Sequence, residues 1–220
     1  MNTKKIGILG TGIVGKTIGS KLIELGYEVM MGSRTLANEQ ASEWVKSAGA
    51  TAWQGTFADA AKFGEVVINC SKGEFYVDVI KSAGEQNLAN KTLIDISNPL
   101  DFSMGTPPVL MPALCNTNSL GEEIQKMIPA TRVVKTLNIV TCEVMVDAKK
   151  CGGPATMFIA GNNTDAKEMV KKMLQQFGWT DIIDLGNIKH ARSTEMMLPI
   201  WLSIYLSAKN ASFGFKVVRE

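Results

Sequence analysis

The chain has 220 residues, 45% hydrophobic and 20% charged, and its 23 basic against 21 acidic residues leave a net charge of +2. That length accommodates one large α/β domain with a small addition. The weak, scattered charge, with no polybasic tract, points to neither nucleic acid nor a membrane surface as partner. With a single histidine, and with Cys70, Cys115, Cys142 and Cys151 forming no CxxC pair, no metal site is expected, and the thiols read as free in a reducing cytosol. The sequence enters an apolar run without the h-region and cleavage site of a signal peptide. Its most apolar stretch, Met196 to Leu206, is interrupted by Pro199 and Ser203 and is too short for a bilayer. A cytoplasmic protein without membrane insertion is expected.

Lys4 to Leu9 is an apolar run of strand length. It breaks at Gly10-Thr11-Gly12-Ile13-Val14-Gly15 and passes into Val14, Ile18, Leu22 and Leu25 at helical spacing. Strand, glycine turn and helix form the context that a dinucleotide-binding turn requires. Gly10 permits the turn, Gly12 lets the backbone approach a pyrophosphate, and Gly15 lets the helix pack on the strand. The helix start offers free N–H groups and its positive dipole end to phosphates. After Gly26, a second strand from Tyr27 to Met31 ends in Gly32-Ser33-Arg34-Thr35. An NAD site carries an acid here, about twenty residues past the glycines, to bind the ribose 2′-hydroxyl. Arg34 instead presents a fork of donors suited to a phosphate, so NADP(H) is predicted over NAD(H).

Thr35 is expected to cap a helix running to about Lys46, which Gly49 breaks. Ala50 to Trp53 reads as a short third strand and Phe57 to Phe63 as a short helix. Val66-Val67-Ile68-Asn69-Cys70 is a β-branched run, hence a buried parallel strand. It ends in Ser71-Lys72-Gly73 at the carboxyl edge, where ligands of open α/β sheets bind, which makes Ser71 and Lys72 candidate cofactor contacts. A helix from about Phe75 to Glu85 leads to a strand from Thr92 to Ile96. Pro99 then holds Asn98 extended at the same edge. Asp101 to Cys115, with Pro107-Pro108, reads as an irregular loop. Asn118 or Ser119 caps a helix ending near Pro129, and Arg132 to Leu137 is a sixth strand.

Beyond Asn138, Thr156 to Ala160 and Asp181 to Leu185 are strand-like around an amphipathic helix from Thr164 to Phe177. A closing helix runs from about Ser193 to Ser212. Its Met196, Met197, Leu198, Trp201, Leu202 and Tyr205 form one broad apolar surface, read as a packing or dimer face ahead of a lid over a flat ligand. The fold class is therefore α/β: a Rossmann doubly wound parallel sheet extended by a small α/β C-terminal segment ending in a long helix. Residues 1–138 read as the dinucleotide-binding domain and 139–220 as a segment covering the acceptor cleft.

Several segments together resemble one family. Lys5-Ile6-Gly7-Ile8-Leu9-Gly10-Thr11-Gly12, Gly32-Ser33-Arg34, Ser97-Asn98-Pro99-Leu100, Val133-Val134-Lys135-Thr136-Leu137-Asn138 and Asp184-Leu185-Gly186 to Arg192-x-x-Glu195 look like NADP oxidoreductases dependent on coenzyme F420. The same domain also resembles the cytosolic part of six-transmembrane metalloreductases. The resemblance implies that Thr11, Gly12, Ile13, Val14, Ser33 and Arg34 bind NADP. Cys70, Ser71, Asn98 and Pro99 would line the nicotinamide end, with Asn138 near it. It further implies a deazaflavin or flavin ring stacked on the nicotinamide in a cleft roofed by the C-terminal segment. Leu137 departs from the family, which more often has an aromatic residue there.

The expected activity is hydride transfer between the nicotinamide of NADP(H) and a flavin or F420-like acceptor. Positioning and water exclusion carry it, with no dedicated catalytic residue, and His190 is expected to be satisfied or solvated. Tyr205-x-x-x-Lys209 mimics the pair of short-chain carbonyl reductases but reads as chance. The alternative is a non-catalytic NADP(H)-binding redox sensor or partner module. Expected partners are a small-molecule redox acceptor and a second copy in a homodimer.

Overall fold

The computed structural model describes residues 4–219. The first half of the chain comprises β1 (Lys5–Leu9), α1 (Ile13–Glu24), β2 (Glu28–Ser33), α2 (Glu39–Ala48), β3 (Ala52–Thr56), α3 (Phe57–Phe63), β4 (Val66–Asn69), α4 (Tyr76–Ala83), α5 (Glu85–Leu88) and β5 (Thr92–Asp95). There follow β6 (Leu100–Asp101), β7 (Val109–Leu110), α6 (Leu120–Met127), β8 (Arg132–Thr136), α7 (Cys142–Met145), β9 (Thr156–Gly161), α8 (Thr164–Gln176), β10 (Asp181–Asp184), α9 (Ala191–Glu195) and α10 (Leu198–Ala208).

The main sheet has eight strands in the order β10-β9-β8-β5-β4-β1-β2-β3. The six strands from β3 to β8 are mutually parallel, while β9 meets β8 antiparallel and β10 follows β9 in parallel. Successive side chains of a strand face opposite sides, so one short run feeds two cores. Ile6, Ile8, Val66, Ile68, Ile94 and Val134 pack with α1, α2 and α8 on one face. Leu9, Val67, Leu93 and Val133 pack with α3, α4 and α6 on the other. Burial on both faces makes these runs continuously apolar, and each fully buried branched side chain contributes about 1.5–3 kcal/mol.

The doubly wound sheet is the expected fold class, except that β9 joins β8 antiparallel where a parallel sheet was expected, and there are four local differences. The cap of α2 is Asn38, whose side chain accepts from Ala41 N, rather than Thr35. The third strand lies later than expected, at Ala52–Thr56, and is followed at once by the α3 capping box of Thr56 and Asp59. The loop after Asn98 contains a short antiparallel hairpin of β6 and β7. The closing helix is split into α9 and α10, with Pro199 in the first turn of α10, where a missing N–H costs least. No helix among the described residues is long and apolar enough to cross a membrane.

Candidate functional site

Strand order reverses on either side of β1, which opens a crevice at the carboxyl ends of β1 and β4. The glycine turn occupies it. Gly10 has φ +128°, and its N–H donates to the Gly32 carbonyl at 3.0 Å, so the turn after β1 is tied to the end of β2. A Cβ on Gly15 would collide with the Gly10 carbonyl, whereas one on Gly12 would meet no protein atom within 4 Å. Gly12 therefore fronts open space. The first helical bond runs from Lys16 N to Gly12 O at 3.0 Å and leaves the first-turn N–H groups of α1 outside the ladder.

At the end of β2, Ser33 is buried and turns its hydroxyl onto the Thr35 backbone, while Arg34 stands exposed. The Arg34 guanidinium lies 5.3 Å from the Phe75 ring centroid, and no carboxylate among the described residues pairs with it. Gly10, Thr11, Gly12, Ser33, Arg34, Thr35 and Phe75 line a cavity of about 590 Å³. A second cavity of about 520 Å³ adjoins it, lined by Ile13, Val14, Ser97, Asn98, Asn138, Met145, Leu198, Trp201 and Leu202. Cys70, Ser71 and Lys72 line both. Gly15 and Pro99 line neither, and the Pro99 carbonyl accepts from Met111 N at 2.8 Å.

Beneath the second cavity, two asparagines lock the ends of β5 and β8 together. Asn98 Nδ2 donates to the Asn138 carbonyl at 2.9 Å, and Asn138 Nδ2 donates to Asn98 Oδ1 at 3.0 Å. Leu137, 3% exposed, holds φ +62° immediately before Asn138, a conformation that costs a bulky side chain about 1–3 kcal/mol. That turn redirects the chain so that Asn138 faces Asn98.

Deeper still lies a polar cluster that the sequence did not reveal. Lys135 Nζ donates to Asp95 Oδ2 at 2.8 Å, to Glu195 Oε1 at 2.9 Å and to the Ser97 carbonyl. Glu195 also accepts from Leu120 N at 2.8 Å and Gly121 N at 3.1 Å, at the start of α6. Burial would depress the Lys135 ammonium, but Asp95 and Glu195 outweigh it and raise its pKa. Burial pushes the Glu195 carboxyl up, against the pull of Lys135 and the Leu120 N–H.

The roof is formed by α10. Trp201 stacks on Tyr205 at 5.5 Å and on Phe213 at 5.4 Å, while Leu198 and Leu202 face the same cavity. Burial raises the thiol pKa of both Cys70 and Cys142, which line this cavity, so neither provides a thiolate at neutral pH. His190 is exposed and lines neither cavity.

A family model described as NADP oxidoreductase coenzyme F420-dependent matches residues 5–99. A crystal structure of a candidate F420-dependent NADP reductase from Arthrobacter sp. FB24 is 42% identical, with a TM-score of 0.92 over 99% of this chain and 100% of that one. The chain belongs to the F420-dependent NADP oxidoreductase family. It is accordingly an NADP-dependent oxidoreductase. The F420-dependent NADP reductase of Methanocaldococcus jannaschii is 28% identical over 97% of both chains. Metalloreductase STEAP3 of Rattus norvegicus is 27% identical over 90% of this chain, which spans 38% of that protein's length.

Proposed function

We propose that NADP(H) lies along the trough formed by the two cavities, and that the protein transfers hydride between its nicotinamide and a flat flavin or deazaflavin acceptor. The observation that carries this reading is the contrast between adjoining cavities that share Cys70, Ser71 and Lys72. The first is the more polar of the two and joins the α1 start to Arg34, which fits a pyrophosphate and a 2′-phosphate. Its fit rests on the empty space in front of Gly12 and on Arg34 having no carboxylate partner among the described residues. The second is walled by Ile13, Val14, Val140, Met145, Leu198 and Trp201, which fits a nicotinamide with an aromatic ring stacked on it.

When bound, NADPH supplies the hydride from its nicotinamide C4. The protein's part is to hold both rings in a dry cleft at reacting distance. Gly12 and the α1 start anchor the phosphates, Arg34 selects the 2′-phosphate from a loop that the Ser33 hydroxyl ties to the Thr35 backbone, and the Asn98–Asn138 lock sets the floor under the rings. With both thiols shielded and His190 lining neither cavity, the charged side chains on the trough walls are Arg34 in the first cavity, Glu143 in the second and Lys72 in both, and an acceptor that exchanges its proton with water needs none of them as a dedicated acid or base. The exposed Ile200, Tyr205 and Leu206 on α10 support a homodimer.

The test is NADPH oxidation followed at the nicotinamide absorbance, with FMN, riboflavin and a deazaflavin offered in parallel. Turnover with a ring acceptor supports the reductase. Saturable NADPH binding with no turnover would instead support a sensor or partner module.

A further inference from the structure

The buried cluster beneath the trough does more than join strands. Asp95, with no exposed surface, receives four donors: Asn69 Nδ2 at 2.9 Å, Ser97 Oγ at 2.6 Å and Ser97 N at 3.3 Å on Oδ1, and Lys135 Nζ at 2.8 Å on Oδ2. This fixes the orientation of Asn69. Its amide nitrogen faces the carboxylate, so its Oδ1 faces the turn after β4, where it accepts from Ser71 N at 3.2 Å and Ser71 Oγ at 2.7 Å. A serine hydroxyl has one proton, and here that proton points inward. Ser71 lines both cavities, so what it shows the trough is lone pairs alone.

We propose that Asn69 and Asp95 are positioning residues that hold the Ser71 hydroxyl as a hydrogen-bond acceptor for a hydroxyl of the nicotinamide ribose. The inference rests on NADP(H) lying in the trough as described above. An oxygen with only lone pairs to offer repels phosphate oxygens and attracts a donor. The phosphates have the N–H groups of the α1 start. Ser71 stands on the wall between that polar end and the apolar ring end, where a ribose joins the two halves. The polarity of this contact is set from a distance: Glu195 and Asp95 hold Lys135, Lys135 holds Asp95, and Asp95 turns Asn69.

The experiment is a double-mutant cycle on NADPH affinity, measured by fluorescence titration of wild type, Ser71→Ala, Asn69→Ala and the double variant. Losing one net hydrogen bond raises the dissociation constant about fivefold. Each single variant is expected to show that loss, and the double variant to show it once rather than as a product. Ser71→Thr, which keeps the hydroxyl, is expected to retain affinity. In turnover the effect falls on the KM for NADPH and leaves the KM for the acceptor alone, a split that general loosening of the fold would not produce. Ser71 lies on a half-buried turn, so Ser71→Ala and Ser71→Thr decide the matter even if Asn69→Ala does not fold. Ser71→Ala binding NADPH as tightly as wild type, or additive losses in the cycle, would overturn the inference while leaving the proposed function standing. Failure of the wild type to bind NADPH would remove both.

Discussion

Arg34 is the residue on which the cofactor assignment turns. It is exposed, it rests on the Phe75 ring, and no carboxylate among the described residues competes for it. A charge-assisted hydrogen bond contributes about 1.5–3 kcal/mol, so Arg34→Ala is expected to raise the dissociation constant for NADPH roughly 10- to 150-fold. The constant for NADH should barely move; equal losses for the two cofactors would contradict the assignment. Arg34 was legible in the sequence because it follows the glycine turn at a fixed interval set by one βαβ unit. Lys135, Asp95 and Glu195 were not, because their partners lie 40 and 60 positions apart and no local pattern announces a contact across that distance. Leu137 was noticed for its side chain, while the feature that shapes the site is its positive φ, which nothing in the residue type foretells.

At the scale of elements, strands and helices were legible where burial imposes a period and less so where capping decides. Thr35 and Asn38 are both good caps. The chain uses Asn38 because Ser33 and Thr35 hydrogen-bond to each other and keep residues 34–37 out of the helix, with Arg34 and Thr35 lining the first cavity. Asn38→Ala should therefore lower stability by about 1 kcal/mol. Thr35→Ala should leave the melting temperature nearly unchanged, and the opposite ranking in a thermal melt would contradict this account. Glu195 fastens α9 to the start of α6 and to β8 at once. Removing one partner of a buried ion pair costs about 3–5 kcal/mol, so Glu195→Ala is expected to lose that much in denaturant unfolding. A loss below about 1 kcal/mol would show that the cluster is not a fastener.

Across the whole molecule, the same α6–α9 junction gives stability a pH dependence. Arg192 donates to Glu122 through Nε at 2.7 Å and Nη2 at 2.6 Å. Burial alone would raise the Glu122 carboxyl, but Arg192 and the Ser119 hydroxyl outweigh it and hold its pKa below the ordinary 4.5. A depressed carboxyl contributes stability in full above its unfolded value and loses it as pH falls through the folded one. The melting-temperature gap between wild type and Arg192→Met should therefore close as pH is lowered from neutrality to below 4.5. A gap that stayed constant would remove the pair from the account. The glycine turn and the strands up to β5 were readable from the first half of the chain, where each element follows its neighbour closely, whereas nothing local announces that β9 joins β8 antiparallel. The roof was harder, because an all-apolar helix reads alike as packing face, dimer face or lid, and only the fold brings Leu198 and Trp201 over the second cavity.

Direct hydride transfer between two rings held in that trough, as proposed, would leave an isotopic trace. It is tested most directly with NADPH carrying deuterium at one or the other face of nicotinamide C4, a 5-deazaflavin acceptor, and mass analysis of the reduced product. The deazaflavin accepts at carbon, where the label does not wash out into water. Deuterium from one face alone is expected in the reduced deazaflavin, because a trough that holds the nicotinamide in one orientation presents a single face to the acceptor. A reduced product without label, or label delivered equally from both faces, would contradict it.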